Sequence, residues 1–238
     1  MNAGALPLHE RVTLQGPAGD IEARIETPQS LVGAVSDAGL STDADRSGDA
    51  GLAGHTGPFA FGVVCHPHPL FGGTLDNKVV YSLARAFHDL GLPTIRFNFR
   101  GVGKSAGSFA DGIGETDDTL AVVAAGREKW PNAAVWLGGF SFGGAVAIRA
   151  AAQVNPERLV TVAPAIRRVS LDGVPPPSCP WLIVQGDNDD LVNHTEVIEW
   201  ASKLPHPPQI ALIPGVEHFF HGKLNELRDA VTRFAGKS

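Results

Sequence analysis

Cysteine is scarce in this 238-residue chain, which carries only Cys65 and Cys179. Two thiols are too few for a disulfide framework and are spaced unlike zinc ligands. Both follow or precede apolar runs and read as buried thiols of a reducing compartment. Long apolar stretches are missing as well, since none approaches the ~20 residues needed to span a bilayer. The opening MNAGALPLHERV lacks the basic start and apolar run of a secretory leader. Together these absences point to the cytoplasm. Basic residues are also in deficit: 19 Lys and Arg against 25 Asp and Glu give a net charge of −6. That balance disfavours nucleic acid and anionic membrane surfaces as partners. Core-forming residues are not lacking. At 43% hydrophobic and 18% charged, the composition is that of a globular protein, and one domain spanning 1–238 is expected.

A local absence follows. From Gln29 to Gly57 there is no aromatic residue, and Ala, Gly, Ser, Asp and Thr dominate. Such a stretch buries too little apolar area to offset its ordering entropy, so 29–57 reads as a flexible surface insertion.

A missing glycine weakens another reading, phosphate binding, without closing it. Gly103-Lys104-Ser105 ends RFNFRGVGKSAGSF like a phosphate-binding loop, but the position of the first cradle glycine is Asn98. The cradle's first turn is therefore not present.

What is there is alternation. RVTLQ and IEARIET alternate apolar and polar residues around GPAGD, predicting a hairpin. From Pro58 onward, strand-like runs (FAFGVVC, PTIRFNF, AVWLGGF, RLVTVAPA, PWLIVQGD, QIALIPGV) are interleaved with helical patterns. The latter are NKVVYSLARAFHDLG, DDTLAVVAAGREKW with acidic residues in its first turn, GGAVAIRAAAQV, NHTEVIEWASKL and KLNELRDAVTRFAG. This predicts βαβ units, a mostly parallel sheet of about eight strands and helices on both faces, with ligands at the carboxyl ends of the strands.

The loops at those ends carry the reactive groups. GFSFGGA places Ser141 between a strand and a helix in a G-x-S-x-G turn, where Gly139 and Gly143 supply the room a sharp elbow needs. Of nine histidines, His218 in PGVEHFF directly follows the last strand. QGDNDDLV, after PWLIV, offers Asp187, Asp189 and Asp190 as the carboxylate that orients the base. The oxyanion hole requires the N–H of Phe142 and one from the HPHPLFGG loop, where Pro67 and Pro69 have no N–H to give. His66 reads as a loop-shaping residue, and no metal or cofactor is expected.

With CHPHPLFGGT, RFNFRGVGKSAGSF, GFSFGGA, QGDNDDLV and VEHFFHGKL, the chain resembles the α/β-hydrolase superfamily, and within it small bacterial hydrolases related to dienelactone hydrolase. The resemblance runs from about Val12 to the C-terminus, apart from the insertion. It implies Asp189 as the acid, with Asp172 as the fallback and Asp187 and Asp190 as loop residues. It also implies His68 as the second oxyanion donor, with Leu70 or Phe71 as fallbacks. Arg100 to Ser105 becomes a turn beside the elbow supported by Arg100, and the short IRRVSLDGVPPPSC link leaves no large cap domain. Dienelactone hydrolases use a cysteine where this chain has Ser141, so their lactone substrate does not carry over. Leu70, Phe71, Phe140, Phe142, Val192 and Phe219 are expected to make an apolar pocket. The implied activity is hydrolysis of small-molecule carboxylic esters with small, apolar acyl groups through an acyl-enzyme. Thioesterases and peptidases use the same machinery, and non-catalytic binding members of the fold also exist.

Overall fold

Side chains along the central strands bury alternately to two sides. In β3 (Ala60–Cys65) Phe61, Val63 and Cys65 enter one hydrophobic layer, and Ala60 and Val64 enter the other. β5 (Ala134–Phe140) repeats this, with Val135 and Leu137 opposed to Trp136 and Phe140. Only a strand covered on both faces can be apolar at every position. The computed structural model describes residues 8–29, 31 and 58–236. The stretch read as an insertion, 29–57, lies almost wholly outside them.

The eight strands lie in the order β1-β2-β4-β3-β5-β6-β7-β8. β1 (Leu8–Gly16) and β2 (Gly19–Thr27) form the expected hairpin, and β2 pairs antiparallel with β4 (Thr94–Phe97). From β4 onward every pairing is parallel, through β6 (Arg158–Val162), β7 (Trp181–Gly186) and β8 (Gln209–Ile213). Helices α1 (Lys78–Asp89) and α5 (Leu224–Ala235) cover one face. Helices α2 (Ile113–Lys129), α3 (Phe142–Val154) and α4 (His194–Ser202) cover the other. The strand order is the one that the resemblance to the α/β-hydrolases implies. The β6–β7 connection, 163–180, contains no helix or strand, so no cap domain stands over the carboxyl edge there. No helix among the described residues is long and apolar enough to cross a membrane.

Two expectations need correction. Helix α2 starts at Ile113, not at the acidic pair Asp117-Asp118, and its first-turn acid is Glu115. The Glu115 carboxylate accepts the N–H groups of Ala110 (2.9 Å) and Gly112 (2.8 Å), which extends the helix backwards over a fully buried acid. Cys179 is only partly buried, because it lies in the loop before β7 and not within the strand.

The phosphate-loop look-alike is tied down by an acid. Glu22 accepts the Lys104 N–H at 2.9 Å and the Asn98 amide at 2.7 Å. Ser105 donates to the Asn98 carbonyl at 2.7 Å and accepts the Glu22 N–H at 2.9 Å. The Lys104 N–H that a phosphate would need is thus taken by a carboxylate, and that bond is the main cause holding Glu22 below the ordinary carboxylate range. Arg100 next to it grips Asp118 of α2, with Nη2–Oδ1 at 2.7 Å and backbone N–Oδ2 at 2.9 Å, fastening the turn to the helix.

The Asp118 side chain is 1% exposed and that of Arg100 13%. Removing the acid strands a largely buried guanidinium, so Asp118→Ala is expected to cost about 3 kcal/mol of unfolding free energy. Lys104→Ala, at an exposed position, should stay within about 0.5 kcal/mol. Urea denaturation of both variants checks the contrast.

Candidate active site

Ser141 sits at the end of β5 with φ 56° and ψ −116°, a backbone conformation that costs a non-glycine residue roughly 1–3 kcal/mol. The elbow is held from three sides. The Ser141 N–H donates to Val162 O (2.9 Å), and its carbonyl accepts from Ala145 N (3.2 Å) and Ala165 N (3.0 Å). A side chain at position 143 would put its Cβ 2.3 Å from the His66 carbonyl oxygen, so only glycine lets α3 start this close to the β3 loop.

His218 comes from the loop after β8, which is anchored by the fully buried Phe220. Its Nε2 lies 3.1 Å from Ser141 Oγ and its Nδ1 2.8 Å from Asp189 Oδ2. The structure therefore brings Ser141, His218 and Asp189 into one hydrogen-bonded line. Asp189 is buried, and burial alone would raise its carboxyl. Hydrogen bonds from His218, Val192 and Leu191 more than offset this and hold it below the ordinary value. The other Asp189 oxygen accepts Leu191 N–H (2.9 Å) and Val192 N–H (2.8 Å).

The remaining carboxylates lie elsewhere. Asp187 accepts the Gly215 N–H at 2.6 Å, tying the acid loop to the histidine loop. Asp190 is exposed. Asp172 is exposed beside Ser170, with no contact to His218.

Sequence reasoning missed Gln185. Fully buried on β7, it donates Nε2–H to Asp189 Oδ2 (3.1 Å) and Val192 O (3.2 Å), supporting the acid from below. A polar residue closing the apolar run PWLIV, four positions before the aspartate, was the available signal.

The β3 loop supplies the facing wall. His66 is buried with both ring nitrogens engaged: Nδ1–H donates to Pro67 O (2.6 Å), and Nε2 accepts Phe99 N–H (3.0 Å). Beyond it, His68 packs its ring against Phe71, Phe109 and Phe142 at 4.7–5.0 Å. Both fallback donors are occupied, Leu70 N–H by His68 Nδ1 (3.2 Å) and Phe71 N–H by His68 O (3.1 Å). Among the described residues, no protein acceptor takes the backbone N–H of His68 or of Phe142.

Ser141 and His218 open into a pocket of about 400 Å³. Phe71, Phe142, Val192 and Phe219 line it as expected. Leu70 and Phe140 do not. Leu70 points to solvent from the 3₁₀ turn Pro69–Phe71. Phe140 precedes Ser141 on a strand, so alternation sends it into the opposite layer, where its ring lies 4.9 Å from that of His218. Asn77, Ala165, Arg168 and Leu191 were not foreseen as lining residues. No group of three or more potential metal ligands occurs among the described residues.

The family described as serine aminopeptidase S33 matches residues 72–178. An uncharacterised protein of Rickettsia prowazekii is 34% identical over 183 residues, covering 72% of this chain and 76% of its own. A solved structure from Xanthomonas campestris, described as an α/β serine hydrolase without a lid, is 36% identical with a TM-score of 0.81, covering 98% of this chain and 96% of that one. An α/β serine hydrolase homologue from Coxiella burnetii is 37% identical with a TM-score of 0.79, covering 94% and 96%.

Burial pushes the His66 imidazole down to about 4, only partly countered by its bond to Pro67. A histidine depressed in the fold takes up its proton first in the unfolded chain, so stability is lost as pH falls from about 6.5 toward 4. Replacing it with glutamine should remove this contribution. The wild type's urea midpoint is expected to fall more steeply across that window than that of His66→Gln, with a differential loss of about 3 kcal/mol.

Proposed function

The chain belongs to the α/β serine hydrolases, and from that premise we propose that it is a carboxylesterase acting on small-molecule esters with small, apolar acyl groups. The observation that carries this reading is the Ser141–His218–Asp189 line at the mouth of an uncapped pocket. In the proposed reaction Ser141 Oγ attacks the ester carbonyl carbon as its proton passes to His218 Nε2. The new oxyanion is held by the N–H groups of Phe142 and His68. The C–O bond to the alcohol breaks, and His218 gives its proton to the departing oxygen. Water, deprotonated by His218, then attacks the acyl-enzyme, releasing the acid and restoring the serine. Asp189 keeps Nδ1 protonated and steadies the imidazolium.

Peptide hydrolysis is the second reading, favoured by the name of the matching family. An aminopeptidase must hold its substrate's α-ammonium, and the residues lining this pocket include no carboxylate. That favours esters. We further read 1–238 as one catalytic domain carrying the 29–57 insertion and, with two free thiols, as cytoplasmic.

Ser141→Ala should lower kcat on short-chain 4-nitrophenyl esters by roughly 10⁴–10⁶-fold without altering the melting transition, and should abolish fluorophosphonate labelling. Undiminished turnover in that variant would remove the serine mechanism. Asp189→Asn should lower kcat by about 10⁴-fold, because an amide can hold the imidazole in the wrong tautomer. Asp187→Asn and Asp172→Asn should have far milder effects. A full loss in Asp172→Asn with little change in Asp189→Asn would reassign the acid.

A further inference from the structure

One cation stands in the pocket. Arg168 lines the same cavity as Ser141 and His218, whose lining contains no Asp or Glu, in a protein that is net acidic. Other arginines around the site are spoken for. Arg167 pairs with Glu196 at 2.5 Å, Arg100 with Asp118 at 2.7 Å and Arg24 with Asp76. Arg168 has no ion pair among the described residues.

Its placement is tied to the nucleophile. The Arg168 N–H donates to Ala165 O at 2.9 Å, and the Ala165 N–H donates to Ser141 O at 3.0 Å. Two backbone hydrogen bonds therefore link the main chain of Arg168 to the elbow, within a connection, 163–180, that contains no helix or strand. The field of Arg168 also reaches the oxyanion loop. His68 is held below its ordinary value first by burial and then by this positive charge.

Resting on the serine-hydrolase reading, we infer that Arg168 recognises a carboxylate carried by the substrate in addition to its ester bond. This narrows the acyl group proposed above: the preferred substrates are monoesters of small dicarboxylic acids, in which an apolar methylene spacer ends in a carboxylate. A guanidinium offers a planar fork that matches a carboxylate in two parallel hydrogen bonds. Arg168 is exposed at the pocket's rim, where a carboxylate reaching it forms a charge-assisted pair that a purely apolar ligand cannot make. The apolar walls of Val192, Leu191 and Phe219 suit the methylenes between the two acyl groups.

The experiment compares matched ethyl esters by pH-stat at neutral pH: monoethyl succinate, glutarate and adipate against ethyl butyrate, pentanoate and hexanoate. Within each pair a carboxylate replaces a terminal methyl group. The wild type should favour the anionic ester at one or more chain lengths. Arg168→Gln should lower kcat/KM for that ester by about tenfold more than for its neutral partner, mainly through KM. Added salt should reduce the wild-type preference toward that of the variant. A second measurement needs no turnover: the free dicarboxylate should slow fluorophosphonate labelling of Ser141 in the wild type but not in Arg168→Gln. Equal anionic-to-neutral ratios in the two proteins at every length, with no difference in protection, would overturn the inference. So would a parallel fall for neutral and anionic esters, which would make Arg168 a support of the loop. Loss of labelling and of all ester turnover in the wild type would instead defeat the serine-hydrolase reading, and the inference with it.

Discussion

The elbow at Ser141 is the constraint around which the rest of the site is organised. A left-handed non-glycine residue relaxes unless its surroundings over-determine it, and here they do. Val162 holds its N–H, Ala145 and Ala165 hold its carbonyl, and the backbone of His66 presses against Gly143. Each of these neighbours leads to another part of the site. Through His66 the elbow meets the loop that presents the His68 N–H, and through Ala165 it meets the turn carrying Arg168. Strain at one residue is thus shared among three loops, and the same contacts that hold it set the spacing between them.

Burial near the site is handled by saturation, not by avoidance. His66 engages both ring nitrogens, and Asp189 collects two backbone N–H groups, the His218 ring and the Gln185 amide. Groups so fully committed have one orientation and one protonation state near neutrality. The Glu22 carboxylate follows the same logic in the Gly103-Lys104-Ser105 turn. A loop whose N–H groups could have served an external anion satisfies an internal one.

Much of this was legible because the informative features are local. Strand, tight turn and helix around Ser141 follow one another in sequence, and His218 and the QGDNDDLV acids directly follow strands. Whether a loop residue faces the cavity was harder to read. Phe140 was misplaced because adjacency to Ser141 in sequence is, on a strand, opposition in space. Leu70 was misplaced because a 3₁₀ turn rotated it to solvent. Arg168 left no trace, since 163–180 has neither period to reveal its facing. The start of α2 was hidden by Glu115, a charged residue buried as the cap of its own helix.

The bare carboxyl edge has a kinetic meaning. Enzymes that shut a lid over their substrate wait for it to open, and that step often limits turnover. With no helix or strand in 163–180 to close, this connection imposes no such wait, and in the proposed reaction the pace falls to bond-making at the serine. In the proposed reaction the same openness would leave the acyl-enzyme within reach of bulk water, so exclusion of competing nucleophiles would rest on the substrate's own body against Phe71 and Phe219. Discrimination is then made at the moment of contact, by what the ligand brings with it.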